Sequence, residues 1–488
     1  MPDDLRVTGP ITQGSRANAF AAPAFDLGGY GYTSEEFLIE GRATAYATGP
    51  GGEDGPGGED GPAGGRATDG RWTVRPVREA PFRTRILVMR PSDPREFSGT
   101  TWLTWVNVTA GFEIGDITRA NLRDGDAIVY VSAQRAGVEG VPGAEGNGLR
   151  VWDPGRYGTL SHPGDDFSYD IFTAAALVVG RDRPRLPVDP LRGLDVRRVL
   201  GTGASQSAIR LTSYLNGVQP FARALDGVLL VANFGRSAFF AAPAGGNDLD
   251  ETFRRPPVRV RDDLDIPVLL VSTETEAEHL HPVRQPDTPT FRTWEVAGAA
   301  HAGAGQDSIT DVVATFTRDG LVLPSGSLGS SSGAVGHAAT PNSLDWLPVV
   351  SAARRGLVAW ASGGPEPASL PPITVEGMPG RVRRDEHGNA HGGVRLPQLE
   401  VPVATHRGTV EGADLMGSLF GSMLVFPAGK LRALYPTRAA YLTAFSAAVD
   451  RAVEAGYVLP RDADAVRSIA AKNAADLLPD EVELPAKA

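Results

Sequence analysis

Val199-Leu200-Gly201-Thr202-Gly203-Ala204-Ser205-Gln206-Ser207-Ala208 reads as an apolar strand that runs through a tight turn straight into a helix. The helix continues from Gln206 to Leu215, with Ala208, Ile209, Leu211 and Leu215 as its apolar positions. A serine at such a bend is driven into a strained backbone conformation that lifts its hydroxyl above the sheet edge. Residues two before and two after must be small, so that strand and helix can approach. Gly203 and Ser207 meet that requirement, Ser207 standing where a second glycine is usual. The helix start points N–H groups at the same spot, so the Gln206 amide is expected to be one donor to an oxyanion forming beside Ser205.

Short β-branched runs surround this segment: Arg85 to Met89, Thr101 to Val108, Ala127 to Ser132, Val196 to Leu200, Gly227 to Val231, Pro267 to Val271 and Phe291 to Val296. Strand, helix and strand in that order predict an α/β fold, a mostly parallel central sheet flanked by helices. Residues 1–80 read as a β-rich extension, with strands at Phe37 to Ile39, Arg42 to Tyr46 and Arg71 to Val77 around a Gly-rich insert at 49–65. Residues 81–320 form the expected catalytic core, with a possible lid at 233–265. Residues 321–488 are expected to pack on the same domain as a covering helix, Leu344 to Trp360, and a C-terminal extension. In that extension Arg381 to Pro402 is turn-rich with strand character, and Pro436 to Tyr457 and Asp462 to Leu478 are helical.

The chain has 488 residues, 41% hydrophobic and 22% charged, the composition of a globular protein with a large core. Its formal charge of −11, without a basic run, argues against nucleic acid and an anionic membrane as partners. There is no apolar run of membrane length and no secretory pattern in Met1 to Arg6, so a cytoplasmic location is expected. The absence of cysteine removes disulfides, thiolate metal sites and cysteine nucleophiles. Lysine occurs only at 430, 472 and 487. Chemistry on a small molecule is the remaining default.

A serine hydroxyl is a poor nucleophile unless an imidazole takes its proton and a carboxylate orients that imidazole. The chain supplies both downstream, each after a strand. Ser272-Thr273-Glu274-Thr275-Glu276 follows Pro267 to Val271, and Ala297-Gly298-Ala299-Ala300-His301 follows Phe291 to Val296. His301 is the histidine that directly follows a strand in that position. Of the two acids Glu276 is favoured by its distance from Pro267, with Glu274 the alternative; the unused glutamate and Glu278 are expected to be solvated. The second oxyanion donor is expected from the turn after Trp105-Val106-Asn107-Val108, at the Thr109 amide or, failing that, at Ala110.

Other readings are weaker. Gly329 to Gly333 is a literal G-x-S-x-G, but it lies in a Gly/Ser linker with no strand before it. Gly201-x-Gly203 as a dinucleotide fingerprint needs Gly or Ala at 206, and no acid ends the next strand. His279-Leu280-His281 could ligate zinc but lacks evident partners, so neither metal nor cofactor is expected. Phe234, Phe239, Phe240 and Phe253 are candidates for an apolar substrate wall or for core. The loop Trp152 to Asp170 could frame an entrance.

With these motifs in hand the sequence resembles the α/β-hydrolase superfamily. More narrowly it is similar to a bacterial group in which a G-x-S-Q-S elbow, an S-E-T-D-like acid loop and a G-x-A-H-A histidine loop occur together. The matching residues are Gly203 to Ser207, Ser272 to Glu276 and Gly298 to Ala302, supported by Asn107 to Thr109 and Asp385 to Pro397. The resemblance implies a serine hydrolase acting on a small-molecule carboxylic ester or lactone without a cofactor. It places the triad acid at Glu276, a glutamate where aspartate is usual. An acyltransferase or amidase using the same triad, or a non-catalytic binding protein on the same fold, are the alternatives.

Overall fold

The structure is a computed structural model that describes residues 4–48, 68–115, 118–183, 186–240, 249–303, 306–321, 340–377, 379–412 and 418–478. The Gly-rich insert and the linker with its G-x-S-x-G lie outside these residues.

Nine strands make one sheet: β1 (Arg6–Thr8), β2 (Tyr32–Thr48), β3 (Val74–Pro91), β4 (Thr100–Trp105), β5 (Ala127–Val131), β6 (Arg198–Ala204), β7 (Gly227–Val231), β8 (Val268–Thr273) and β9 (Phe291–Val296). Their order is β1-β2-β3-β5-β4-β6-β7-β8-β9. From β5 to β9 all neighbours are parallel, and their near-continuous apolar runs are buried on both faces. The expected α/β architecture is therefore present, with an antiparallel N-terminal edge. That edge differs from the short strands read from the sequence. β2 is one strand of 17 residues and β3 one of 18, paired along almost their whole length. β3 joins two runs read separately, Arg71 to Val77 and Arg85 to Met89, and its Pro76 and Pro81 sit where β3 pairs with β2 alone. The pairing with β5 begins only at Ile86, so a missing N–H disturbs no second ladder.

The core lies in two layers, one on each face of the sheet. One packs the helices Ser168–Val179 and Gln206–Ser213 through Phe172, Ala175, Ala208 and Leu211. The other packs Leu347–Trp360, Arg438–Glu454 and Ala463–Leu477 through Val349, Ala353, Leu357, Phe445, Val449 and Val466. The turn-rich stretch after Arg381 forms a two-residue ladder, Val375–Glu376 with Arg381–Val382, and a short helix, Pro397–Glu400. The chain runs from β4 to β5 on one side and returns to β6 on the other. This makes the carboxyl ends of β4 and β6 the point where strand order reverses, the usual place for a crevice in such sheets. Among the described residues no helix is long and apolar enough to cross a membrane.

Candidate active site

Ser205 stands at that reversal, between β6 and the helix Gln206–Ser213, with φ 59° and ψ −119°. A non-glycine residue there costs about 1 to 3 kcal/mol. The bend is held from both sides: Ser205 N donates to Val231 O at 2.9 Å and Ile209 N donates to Ser205 O at 3.1 Å. A Cβ on Gly203 would lie 2.9 Å from Ser207 Cβ and 3.1 Å from Leu211 Cδ1, which is why both flanking positions are small. Beneath the bend runs a buried polar network. Gln206 Nε2 and Trp105 Nε1 each donate to Gln134 Oε1 at 2.9 Å, Gln134 Nε2 donates to Asp165 Oδ2 at 3.1 Å, and Arg210 Nη2 donates to the same oxygen at 3.0 Å. Asp165 is thus a buried support of the elbow. Trp152, Tyr157 and Tyr169 are buried in the core, while Pro154, Gly155, Gly158, Thr159 and Ser161 are exposed, so the stretch Trp152 to Asp170 that the sequence suggested as an entrance is partly core and partly surface.

The acid segment is a helix, Glu274–Leu280, where a loop was expected. Its start is a reciprocal cap: Thr273 N and Thr273 Oγ1 donate to Glu276 Oε2 at 2.7 and 2.8 Å, a signature legible as Thr-x-x-Glu. The other oxygen, Glu276 Oε1, lies 2.6 Å from His301 Nδ1, the geometry of a ring N–H donating to a carboxylate. Glu276 is fully buried and His301 partly so. The helix therefore presents Glu276, rather than Glu274, to the imidazole.

Glu274 does something else. It is buried; Oε2 accepts from Gly298 N at 2.9 Å, while Oε1 accepts from Gly408 N at 3.0 Å and Arg384 Nη1 at 2.7 Å. The expectation of a solvated residue fails because a C-terminal segment folds over it. Glu278 is likewise paired, with Arg381 Nη1 at 3.0 Å and Val382 N at 3.1 Å. Thr275 Oγ1 accepts from His301 N at 2.9 Å and donates to Gly408 O. Gly298 turns the chain toward His301 at φ 70°, with Leu399 packed where a Cβ would stand.

Ser205 and His301 border one cavity of about 230 Å³, together with Ala204, Ala232, Gly303 and the helix Leu347–Trp360. No hydrogen bond is formed between the Ser205 hydroxyl and the His301 ring among the described residues. The Phe234 ring lies 5.2 Å from that of His301, centroid to centroid, at 30°. Phe253 packs on Phe234, and Phe240 is in the core against Trp72 and Tyr169. None of these phenylalanines, nor Phe239, lines the cavity.

The turn after β4 is tied to the elbow by Asn107, a residue of the matching motif whose side-chain role the sequence did not indicate. Its Nδ2 donates to Ala204 O at 3.0 Å and its Oδ1 accepts from Thr109 N at 2.8 Å. The Thr109 amide, favoured from sequence as an oxyanion donor, is thereby engaged in an Asx turn, which leaves the Ala110 amide as the candidate in this loop. Gln206 opens its helix, so its amide has no intrahelical acceptor.

The histidine pair His279 and His281 has separate surroundings. His279 packs against Phe234 and Phe253, and burial, with Arg236 nearby, holds its imidazole below the ordinary value; His281 Nδ1 lies 3.3 Å from Arg284 Nη1. Among the described residues no cluster of three or more His, Asp or Glu could hold a metal ion.

Comparison with known proteins gives one family match, to a family described as "Alpha/beta hydrolase domain", over residues 7–468. No curated protein matches. Solved structures that match include a fungal esterase from Rhizomucor miehei at 14% identity, covering 49% of this chain and 80% of that one with TM-score 0.28. The esterase Est22 matches at 11% identity, over 59% and 79% with TM-score 0.30, and a prolyl endopeptidase at 11%, over 60% and 39% with TM-score 0.29. Likenesses this faint say nothing of substrate or reaction.

Proposed function

The chain belongs to the alpha/beta hydrolase domain family, and from that premise we propose that it is a serine hydrolase that cleaves carboxylic esters, lactones included. In this reading His301 Nε2 takes the proton of Ser205 Oγ as the oxygen attacks the carbonyl carbon. The Gln206 and Ala110 amides receive the developing oxyanion. Collapse of the tetrahedral intermediate expels the alcohol, which His301 protonates, and His301 then activates water to release the acyl group. Glu276 keeps Nδ1 protonated and stabilises the imidazolium. The step needs no group beyond these side chains and amides.

The observation that carries the reading is the bordering of one cavity by Ser205, at its positive φ, and by a His301 ring already oriented by Glu276. Contacts between nucleophile and base are commonly long without substrate and tighten when it binds. The test is Ser205→Ala assayed with p-nitrophenyl acetate. Turnover should fall by at least about 10⁴-fold, with an unchanged circular dichroism spectrum; retained turnover would rule out this nucleophile.

A further inference from the structure

The cavity runs away from Ser205 and His301 between the sheet and the helix Leu347–Trp360. Its sheet side is Thr202, Leu229 and Val231, and its helix side is Leu347, Val350, Ser351 and Arg354. Spacings of three, four and seven residues put those four side chains on one helix face, with Arg354 two turns along from Leu347. The Arg354 guanidinium lies 3.9 Å from the centre of the Trp102 ring. Trp102 is in register with Leu200 across the β4–β6 ladder. Leu200 is five residues upstream of Ser205, so about 15 Å of strand separates the level of that ring from the hydroxyl. The site therefore has a nucleophile at one end, a mainly apolar middle and a buried cation at the other.

Arg354 is only 7% exposed. Trp102 supports its face, and the field of Asp126 acts on it from the sheet side. The Asp126 carboxylate itself accepts from Ser98 Oγ and Trp102 Nε1, and burial pushes it upward toward its neutral form. A neutral pocket of this shape would select against a charged tail, because a carboxylate loses its water on entering and gains nothing in return. A guanidinium in the wall reverses that preference, since its planar fork matches a carboxylate.

We infer that the cavity takes esters whose acyl chain ends in a carboxylate, with Arg354 binding that end. The inference rests on Ser205 being the nucleophile and names the substrate class of the same site.

The experiment compares p-nitrophenyl decanoate with the p-nitrophenyl monoester of sebacic acid, which has the same chain with a terminal carboxylate. The wild-type enzyme should show a higher kcat/KM for the acid ester. In Arg354→Met, whose side chain still covers Trp102, the ratio of acid to neutral ester should fall by about 10- to 100-fold, while Arg354→Lys should keep part of it. An unchanged ratio in Arg354→Met, or a wild-type preference for decanoate, overturns the inference. A second measurement on the wild-type protein decides if the variant does not fold. Free sebacate should slow labelling of Ser205 by a fluorophosphonate more than decanediol does, and equal protection overturns the inference. Absence of labelling in the unprotected control would instead sink the nucleophile itself, which keeps the two failures apart.

Discussion

Ser205 and His301 border the same cavity but are held by different kinds of contact. The bend of the elbow is set by its own neighbourhood in the chain, the β6 strand, the helix that follows and the small residues at 203 and 207, and distant Val231, Asn107 and Gln134 only brace it. The acid and histidine loops are fastened by distant sequence. Glu274 reaches Arg384 and Gly408, Thr275 reaches Gly408, and Asn342 Nδ2 donates to Gly298 O and Arg407 O. A nucleophile's strain can thus be built by a local rule, while the orientation of its base depends here on the C-terminal segment closing over β8 and β9.

The largest expected effect lies at the junction of the two regions. Glu276→Gln keeps the shape of the cap but leaves His301 without the carboxylate that fixes its tautomer, so kcat should fall by about 10³- to 10⁴-fold while labelling chemistry at Ser205 becomes slow and the fold survives. Steady-state kinetics with a short-chain p-nitrophenyl ester checks this. Activity within tenfold of wild type would mean that Glu276 does not orient the base.

Next is Glu274→Gln, which attacks only the distant fastening. Replacing a buried carboxylate that accepts from Arg384 and two amides should cost about 2 to 4 kcal/mol, seen as a lower Tm, with kcat reduced about tenfold through the Gly298 turn. An unchanged Tm and kcat would show that the C-terminal segment is not what holds His301.

The smallest effect on turnover is a pH dependence in the stability of the same fastening. His406 is buried and its pKa is pushed down to about 4 by burial, with its Nδ1 3.0 Å from Asn342 Oδ1. Above its ordinary value of 6.5 the ring is neutral in both folded and unfolded chains, and stability is independent of it. As pH falls below 6.5 the unfolded chain takes up a proton that the folded one does not, so stability should drop by about 1.4 kcal/mol per unit until the folded ring titrates near 4. Urea unfolding at several pH values checks this. His406→Gln should flatten that part of the profile, and an identical slope would assign it to other groups.

The same division explains what could be read from the sequence. The elbow, the parallel strands and the histidine after β9 follow from patterns contained within about ten residues, and the α/β fold came with them. The helix under Glu276 is legible too, from the spacing of Thr273 and Glu276, although the same residues also fit the acid loop of the resemblance. The burial of Glu274, the pairing of Glu278 and the role of Asn107 rest on partners that no local window contains. The full length of β3 was not legible, because tolerance for its prolines depends on which side of the strand has a neighbour, a property of the sheet rather than of the segment.

Mass spectrometry of the intact protein after reaction with a fluorophosphonate, followed by peptide mapping, tests whether Ser205 is the nucleophile that His301 activates. A single adduct on Ser205 is expected, lost in Ser205→Ala and strongly slowed in His301→Ala. An adduct on another serine, or equal labelling of the His301 variant, would contradict it.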